Sequence, residues 1–418
     1  MDNFAATIPS FLSPSASADP VTKMLLLLLK VPKNARTNFA RTHLSAHHPK
    51  LVQAFDRIPL HRRARTVLFA SFTPHTRECR LAAAARLAGW EPYHVCNGTP
   101  KYTPADYFSF SAQLPDPIFL TLACWLFPGA LIHAFAMSGE QAILLAWLKP
   151  RRLVIDLYDT CSGSLSSSVA HRQQEREVIA TADGIIHRDL RIKRLQKLHG
   201  YKLPKHNILI HDPLPKAARG IGPRNHNEEI HVVSTGWISA GDNSIIRVAR
   251  AFCAHQIHLH VYFNPFQQGV HPDTQCYWDL QKNSPFFHIE RPVFGDDYWD
   301  ALRKYDFGLS VLEPAVFGEK IANYTEDALA ACGSSRLSDY IAADLGVIVS
   351  PELNFQSFWS RRFAITTVSA TQEFIANPVP ALRQALGTRA QRPPVDRASI
   401  TIAGAARRLS AFYKKVAA

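Results

Sequence analysis

Short apolar runs alternate with amphipathic stretches along most of this chain. In the first half, apolar runs predict strands at residues 66–71, 93–95, 131–133, 152–158, 184–186 and 207–211. Apolar positions at helical spacing predict helices at 77–89, 139–148 and 187–199. Strands that alternate with helices in this way indicate a parallel sheet with helices on both faces.

The same alternation starts again after a polar segment at 212–229, which contains three Pro and two Gly. The second series predicts strands at 230–234, 257–263, 286–290, 306–312 and 347–349, and helices at 244–255, 298–304, 371–376, 381–386 and 398–416. We therefore interpret 212–229 as a linker and expect an α/β chain with two parallel-sheet domains facing across a cleft.

The charge is concentrated near the N-terminus. The chain of 418 residues has a formal net charge of +13, and residues 23–65 hold ten Lys or Arg and one Asp, which gives +9 for that segment. This basic arm predicts either contact with anionic lipid headgroups or a solvated, partly helical arm packed on the first domain. No aromatic interleaving supports a nucleic-acid partner.

Cysteines and hydropathy bear on the compartment. Seven scattered cysteines without a C-x-x-C pair suit a reducing environment. No run approaches the roughly 18 apolar residues of a membrane span, and no clear signal peptide is present. We expect a cytoplasmic protein, peripheral at the inner face of a membrane if the arm meets lipid.

The segment 333–350, GSSRLSDYIAADLGVIVS, carries the most specific pattern. Small residues at 333–335 precede a short helix, and an apolar strand follows it. A helix N-terminus fronted by small residues and a cation, Arg336, is a suitable seat for phosphate. Asp339, one turn later, could accept hydrogen bonds from a ribose. An ordinary capped helix with a surface ion pair is the competing interpretation.

This segment resembles the donor-site motif of GT-B glycosyltransferases, which often reads N-K-x-x-E-Y-x-A-A-G-x-P-V-I. Arg336 falls on the Lys, Asp339 on the Glu and Tyr340 on the Tyr, whereas Asp344 and Gly346 replace the Gly and the Pro. The resemblance covers residue 66 to the C-terminus. It implies two Rossmann-like domains, an N-terminal acceptor domain at 66–211 and a C-terminal donor domain at 230–397 on either side of the linker 212–229, and a helix at 398–418 that crosses back to the first domain. Before residue 66, composition predicts a disordered tail at 1–22, rich in Ser, Ala and Pro, and then the basic arm at 23–65.

The resemblance also implies the reaction, which is sugar transfer from a nucleotide-diphosphate sugar, with UDP or GDP expected, to a glycan or glycolipid acceptor of surface polysaccharide synthesis. By analogy we expect a retaining, metal-independent enzyme without a cofactor. The implied donor-binding residues are Asp339, Arg336, Ser335, Ser334, Gly236 and Lys320. The Arg and Lys that usually meet the diphosphate after the first strand of the donor domain are missing, because the sequence there reads Gly236-Trp237 and then Gly241-Asp242-Asn243.

Three residues are candidates for the chemistry. His133 is predicted to end a strand that faces the cleft, at the first His of the His-x-His of the family, and Phe135 replaces the second. Glu313, or else Glu319, is the candidate carboxylate near the transferred sugar, although the E-x7-E pattern of retaining members is broken. His75, in the first loop, could touch the acceptor as a general base.

Metal-ligand spacing is not evident in the sequence. His47 and His48 are adjacent, which is a poor chelating geometry, and we interpret His255, His258 and His260 as structural or surface residues. Two other functions stay open: a GT-B-like binding or scaffold protein that has lost catalysis, and a nucleotide-sugar epimerase on the same fold.

Overall fold

The computed structural model describes most of the chain after residue 27. The described residues are 28, 30–71, 76–96, 98, 107–114, 117–127, 129–135, 152–157, 167–214, 229–236, 238, 244–263, 274–291, 293, 296–321, 324–389 and 397–418. The predicted helix at 139–148 and the candidate residue His75 lie outside these ranges.

The first domain is built on a parallel sheet with the strand order β3-β2-β1-β4-β5-β6-β7. Its strands are β1 Thr66–Ser71, β2 Glu91–Cys96, β3 Phe110–Gln113, β4 Leu131–Phe135, β5 Leu153–Leu157, β6 Gly184–His187 and β7 His206–Leu209. Its helices are α1 Arg36–His47, α2 Pro49–Asp56, α3 Leu60–Arg63, α4 Thr76–Leu87, α5 Pro117–Leu126, α6 Val169–Thr181 and α7 Arg191–His199.

Both faces of this sheet are covered, which explains the continuous apolar runs of its strands. Every residue of β1, β4 and β5 is buried. Leu68 and Ile132 pack in one apolar cluster, with side chains of α1, α2 and α5. Val67 and Leu131, which alternate with them, pack in a second cluster on the opposite face, together with side chains of α4.

The basic arm is partly helical and packs on the first domain in the residues that the structure describes. Leu44 of α1 and Leu51 and Phe55 of α2 belong to the core cluster beneath the sheet. Arg41 and Arg57 of the same segment are exposed. The arm therefore has an apolar inner face and a basic outer face.

The second domain repeats the design with a parallel sheet of order β10-β9-β8-β11-β12-β13. Its strands are β8 His231–Gly236, β9 His258–Phe263, β10 Phe287–Ile289, β11 Phe307–Ser310, β12 Gly346–Val349 and β13 Thr367–Ser369. Its helices are α8 Ile246–Ala254, α9 Gln275–Asn283, α10 Asp296–Arg303, α11 Glu313–Val316, α12 Glu326–Ala331, α13 Ser335–Ala342, α14 Asn354–Arg362, α15 Gln372–Ala376 and α16 Pro378–Arg389.

The C-terminal helix, α17 Ile402–Ala417, packs on the first domain after a 3-10 turn at Ala398–Ile400. Leu409, Phe412 and Tyr413 of α17 lie in the core cluster of that domain. Its approach requires Gly184 at the start of β6, because a Cβ atom there would lie 2.7 Å from the Phe412 ring.

The predicted α/β architecture of two parallel-sheet domains is confirmed. The sequence analysis missed the strands β3 and β13 and the helices α5, α6, α9, α11, α12 and α14. It also ended β4 two residues early, at His133 instead of Phe135. Among the described residues, none of the helices has both the length and the apolar character needed to cross a membrane.

Candidate active site

The candidate site lies where β8 and β11 end and α13 begins. Tyr340 of α13 fixes this arrangement, because its hydroxyl donates to the Leu309 carbonyl at 3.2 Å and accepts the Thr235 N–H at 3.2 Å. Gly308 leaves room for the ring, since a Cβ atom there would lie 2.3 Å from Tyr340. The carboxyl ends of parallel strands are the usual ligand-binding edge of such sheets.

Helix α13 presents its first turn at this edge. Leu337, Tyr340 and Ile341 are fully buried, as their helical spacing predicts. Ser334 occupies the N-cap position, but its side chain makes no capping hydrogen bond to the helix. Ser334 and Ser335 are partly exposed. The N–H groups of the first turn and these hydroxyls are therefore suitable donors for an anionic group.

Arg336 lies over the end of β8. Gly236 adopts a φ of +100°, and a Cβ atom at that position would lie 3.4 Å from Arg336 Nη2. Glycine at 236 thus serves two purposes, a left-handed backbone conformation and space for the guanidinium. The structure brings Gly236 and Arg336 together, in the positions that the resemblance assigned to donor binding.

Asp339 is buried at the same edge, so it is not a helix-surface acid. Its Oδ2 accepts a hydrogen bond from the Tyr298 hydroxyl at 3.1 Å, and its Oδ1 accepts from both Nη atoms of Arg80 at 3.3 Å. Burial raises the pKa of the Asp339 carboxyl to about 6, while Arg80 and the Tyr298 hydroxyl oppose that rise. The Asp339 carboxyl is therefore mostly ionised at neutral pH, and a fall of about one pH unit is enough to protonate half of it.

The sequence analysis missed Arg80, which comes from helix α4 of the first domain and forms an ion pair across the domains. A signal was available, because Arg77 and Arg80 are spaced three apart near the start of a helix that follows β1. Arg77 is fully buried and pairs with Asp156 at 3.1 Å and with Asp212 at 3.0 Å. Those carboxylates hold α4 against the first sheet, so Arg80 projects towards the second domain.

A second contact between the domains fixes the loop that leads into α13. Arg188 Nη2 donates to the Gly333 carbonyl at 2.9 Å, and the Gly333 N–H donates to Asp189 Oδ2 at 2.9 Å. Arg191 and Arg188 hold the pKa of Asp189 below its usual value, although burial acts the other way. The segment after β6 therefore positions the first turn of α13.

The structure does not bring His133 to the cleft. His133 is fully buried within β4; its Nδ1 lies 2.6 Å from the Tyr413 hydroxyl and its Nε2 lies 3.5 Å from Asp156 Oδ2. Burial lowers the pKa of this histidine. The expectation of a strand-end histidine was wrong because β4 continues to Phe135, and the side chain instead links the first sheet to α17.

Glu313 contacts the start of a neighbouring helix. It is buried, and its Oε1 accepts the N–H groups of Arg247 and Val248 at the start of α8, the latter at 3.0 Å. This is the environment of a helix-capping carboxylate. Glu319 is exposed and forms a bidentate ion pair with the Arg247 guanidinium at 2.6 and 2.9 Å.

Two further candidates, Lys320 and His75, are not part of the described arrangement around Asp339 and Arg336. Lys320 is exposed, one residue after Glu319. His75 lies outside the described ranges. The residues that the structure assembles are therefore Asp339, Arg336, Gly236, Ser334 and Ser335, with the addition of Arg80 and Tyr298.

Comparison with known proteins identifies the fold. No family model matches the sequence, and no curated protein matches it. The structure is similar to that of HepE from Anabaena in complex with UDP, with a TM-score of 0.56 at 12% identity over 84% of this chain and 99% of that chain. It is also similar to sucrose-phosphate synthase from Thermosynechococcus elongatus, with a TM-score of 0.55 at 12% identity over 84% and 99%. A candidate UDP-N-acetylglucosamine 2-epimerase from Listeria monocytogenes gives 0.52 at 8% identity over 83% and 95%.

These likenesses show that the chain has the GT-B fold, which is the fold that the donor-site motif predicted. The proteins named above include a sucrose-phosphate synthase and a candidate epimerase.

Proposed function

We propose that this protein is a glycosyltransferase that transfers a sugar from a nucleotide-diphosphate sugar, with UDP or GDP as the nucleotide, to a glycan or glycolipid acceptor of surface polysaccharide synthesis. The observation that carries the proposal is the convergence of Asp339, Arg336 and the first turn of α13 at the ligand-binding edge of a GT-B donor domain. In this proposal Asp339 accepts the ribose hydroxyls, and the N-terminus of α13 meets the diphosphate.

Positive charge around the departing diphosphate is the main requirement of the reaction. The usual cations after β8 are missing, but Arg336 and Arg80 supply two guanidinium groups beside α13. Arg80 Nη2 lies 3.3 Å from Asp339 Oδ1, and Arg336 Nη2 would lie 3.4 Å from a Cβ atom at Gly236. We propose that these groups make the transfer metal-independent, and that configuration is retained as in retaining GT-B enzymes.

In the structure Arg80 pairs with Asp339. We propose that the donor exchanges this pair: the ribose takes Asp339, and Arg80 turns to the diphosphate. The exchange replaces one buried ionic contact with another, so that neither group is left buried and unpaired. His75, after β1 in sequence, remains our candidate for the residue that contacts the acceptor.

The basic arm suits an acceptor held at a membrane. Its outer face carries exposed cations, and Leu60 is 78% exposed between them. We propose that this face lies on an anionic membrane surface in the cytoplasm. Sedimentation with vesicles that contain phosphatidylserine should retain the wild type, and vesicles of phosphatidylcholine alone should not; equal retention by both would refute the proposal.

The decisive experiment is nucleotide-dependent thermal stabilisation followed by a turnover assay. A nucleotide at about 100 times its dissociation constant stabilises a folded protein by roughly 2.7 kcal/mol. We expect one of UDP, GDP, ADP, CMP and TDP to raise the unfolding midpoint of the wild type and of Asp300→Asn, but not of Asp339→Asn. Asp300 is a suitable control, since its side chain on the neighbouring helix α10 is 78% exposed.

Turnover separates the candidate functions. Release of nucleotide from the matching donor, with sugar found on an acceptor, supports the transferase. A changed sugar on an intact donor, without an acceptor, would favour the epimerase, whose fold is shared. Binding without either product would favour the non-catalytic scaffold. Stabilisation of Asp339→Asn equal to that of the wild type would refute the assigned site.

A further inference from the structure

A cluster of histidines covers one face of the second sheet at the opposite end of its strands from Gly236. His231 and His258 are the first residues of β8 and β9 and lie side by side in the strand register. His260 follows on the same face of β9 and pairs in register with His288 of β10. Because alternate residues of a strand share one face, the parallel pairing brings these imidazoles together.

The cluster has the geometry of a metal centre. One ring nitrogen from each of His231, His258 and His260 lies within 4.8 Å of the others. The Oε2 atom of Glu229 lies 3.7 Å from His231 Nε2 and 3.6 Å from His258 Nε2. Nitrogen and oxygen ligands at about 2.0–2.1 Å from a tetrahedral ion are roughly 3.4 Å apart, which is close to the 3.7 and 3.6 Å that separate Glu229 Oε2 from the two Nε2 atoms.

The hydrogen bonds behind these atoms set the tautomers that a metal requires. Glu290 Oε1 lies 2.7 Å from His260 Nδ1, so that nitrogen carries the proton and His260 Nε2 is an acceptor. His231 Nδ1, 2.9 Å from His260 Nε2, is then the donor, which puts the lone pair of His231 on Nε2. Ligating histidines usually donate their other N–H group to a carboxylate or a similar acceptor in this way.

His258 has equivalent support. Its Nδ1 lies 2.9 Å from His288 Nε2, which can accept a hydrogen bond from the Nδ1–H group. The rings of His231 and His258 stack with centroids 4.4 Å apart and an interplanar angle of 6°, so that both Nε2 atoms point in the same direction, towards Glu229.

We propose that His231, His258 and Glu229 bind a divalent transition-metal ion, with zinc as the expected metal, and that His260 positions His231. Two imidazoles and a carboxylate suit zinc, and a water molecule would complete a tetrahedron. The site joins Glu229, two residues before β8, to the first residues of β8 and β9. Its effect is therefore structural: it fixes the start of the second domain, far along the strands from the candidate active site.

The sequence analysis missed this site because its ligands come from separate strands. The spacing of His258 and His260 alone does not indicate a metal site. The other residues of the site, Glu229 and His231, are separated from them by β8 and α8.

The test is zinc titration of the full chain, expressed without a polyhistidine tag and stripped with a chelator. Competition with a chromophoric chelator should give one zinc per chain for the wild type and for His255→Gln, a histidine of the same domain outside the cluster. We expect His258→Gln and Glu229→Gln to lose at least about tenfold in affinity. Zinc should also raise the unfolding midpoint of the wild type but not that of His258→Gln.

Glu229→Gln keeps the test interpretable, because the Glu229 side chain is 57% exposed and its replacement should leave the metal-free fold intact. Cobalt provides a second readout, since Co(II) absorbs visible light more strongly in four-coordinate, tetrahedral sites than in octahedral ones. Less than one zinc per chain in the wild type, or equal affinities of His258→Gln and His255→Gln, would overturn the proposal.

Discussion

The perturbed carboxyl of Asp339 predicts a specific pH dependence of donor binding. If the ribose hydroxyls need the ionised form, the apparent dissociation constant rises as the carboxyl is protonated. With a pKa of about 6 in the donor-free protein, affinity should fall about tenfold from pH 7 to pH 5, which is about 1.4 kcal/mol. A carboxyl at the ordinary value of 3.8 would change the affinity over that range by less than about 10%.

The assay is isothermal titration with an intact nucleotide sugar. A free nucleoside diphosphate would confuse the result, because a terminal phosphate titrates near pH 6, whereas the diphosphate of a nucleotide sugar is esterified at both ends. Asp339→Asn should bind more weakly with a flat pH profile, and Asp300→Asn should follow the wild type.

Arg80 gives the prediction a second signature. Its guanidinium lowers the pKa of Asp339 against the effect of burial. Arg80→Gln should therefore move the midpoint of the pH profile upward, in addition to weakening binding through the lost cation. A wild-type affinity that does not change between pH 7 and pH 5, or an unchanged profile in Asp339→Asn, would refute the reasoning.

Other predictions concern stability and are measured by denaturant unfolding. The pKa of Asp339 is about 6 in the folded protein and 3.8 in the unfolded chain, so the protonated carboxyl stabilises the fold most below pH 3.8. The free energy of unfolding should fall by up to about 3 kcal/mol as the pH rises from 3.8 through 6, and Asp339→Asn should remove this pH dependence. Gly333→Ala places a Cβ atom 3.1 Å from the Asp189 Cβ atom, so we expect a loss of about 1–3 kcal/mol and weaker donor binding, and full retention of both would refute the positioning role. Glu313→Gln should cost about 1–2 kcal/mol with unchanged kcat in the folded enzyme, whereas a large loss of kcat at unchanged stability would restore Glu313 as a catalytic group. Tyr413→Phe should cost about 0.5–1.5 kcal/mol by removing the hydrogen bond to His133, with KM unaffected.

Local pattern was sufficient for the parts of the fold that depend on neighbouring residues. The apolar run at 306–312 contains β11, and the i, i+3, i+4 spacing in 333–350 correctly predicted the buried face of α13. The donor-site motif could be found for the same reason, since its residues lie on one turn and one loop.

Residues whose partners are distant in sequence could not be assigned in that way. Arg80 and Asp339 are 259 positions apart, and His133 and Tyr413 are 280 positions apart. From the sequence, Glu313 is predicted to be a carboxylate at the cleft because it follows a strand. In the structure it accepts hydrogen bonds from N–H groups of α8, a helix that begins more than 60 residues earlier. A period in the sequence reports which side of an element is buried and carries no information on what covers it.

The contacts between the domains suggest why this chain can depart from the usual donor-site sequence. Arg188 and Asp189 hold both backbone groups of Gly333, and Arg80 pairs with Asp339, so the first domain contacts α13 at its entrance and one turn further on. In the proposed site, the Arg80 guanidinium of the first domain would take the place of the cations that GT-B donor domains often carry after the first strand. A site that takes one of its charges from each domain is complete only while the domains are together. Under the proposed function we therefore expect donor binding to favour the arrangement in which the two domains are in contact, because a donor that attracts Arg80 binds that arrangement better.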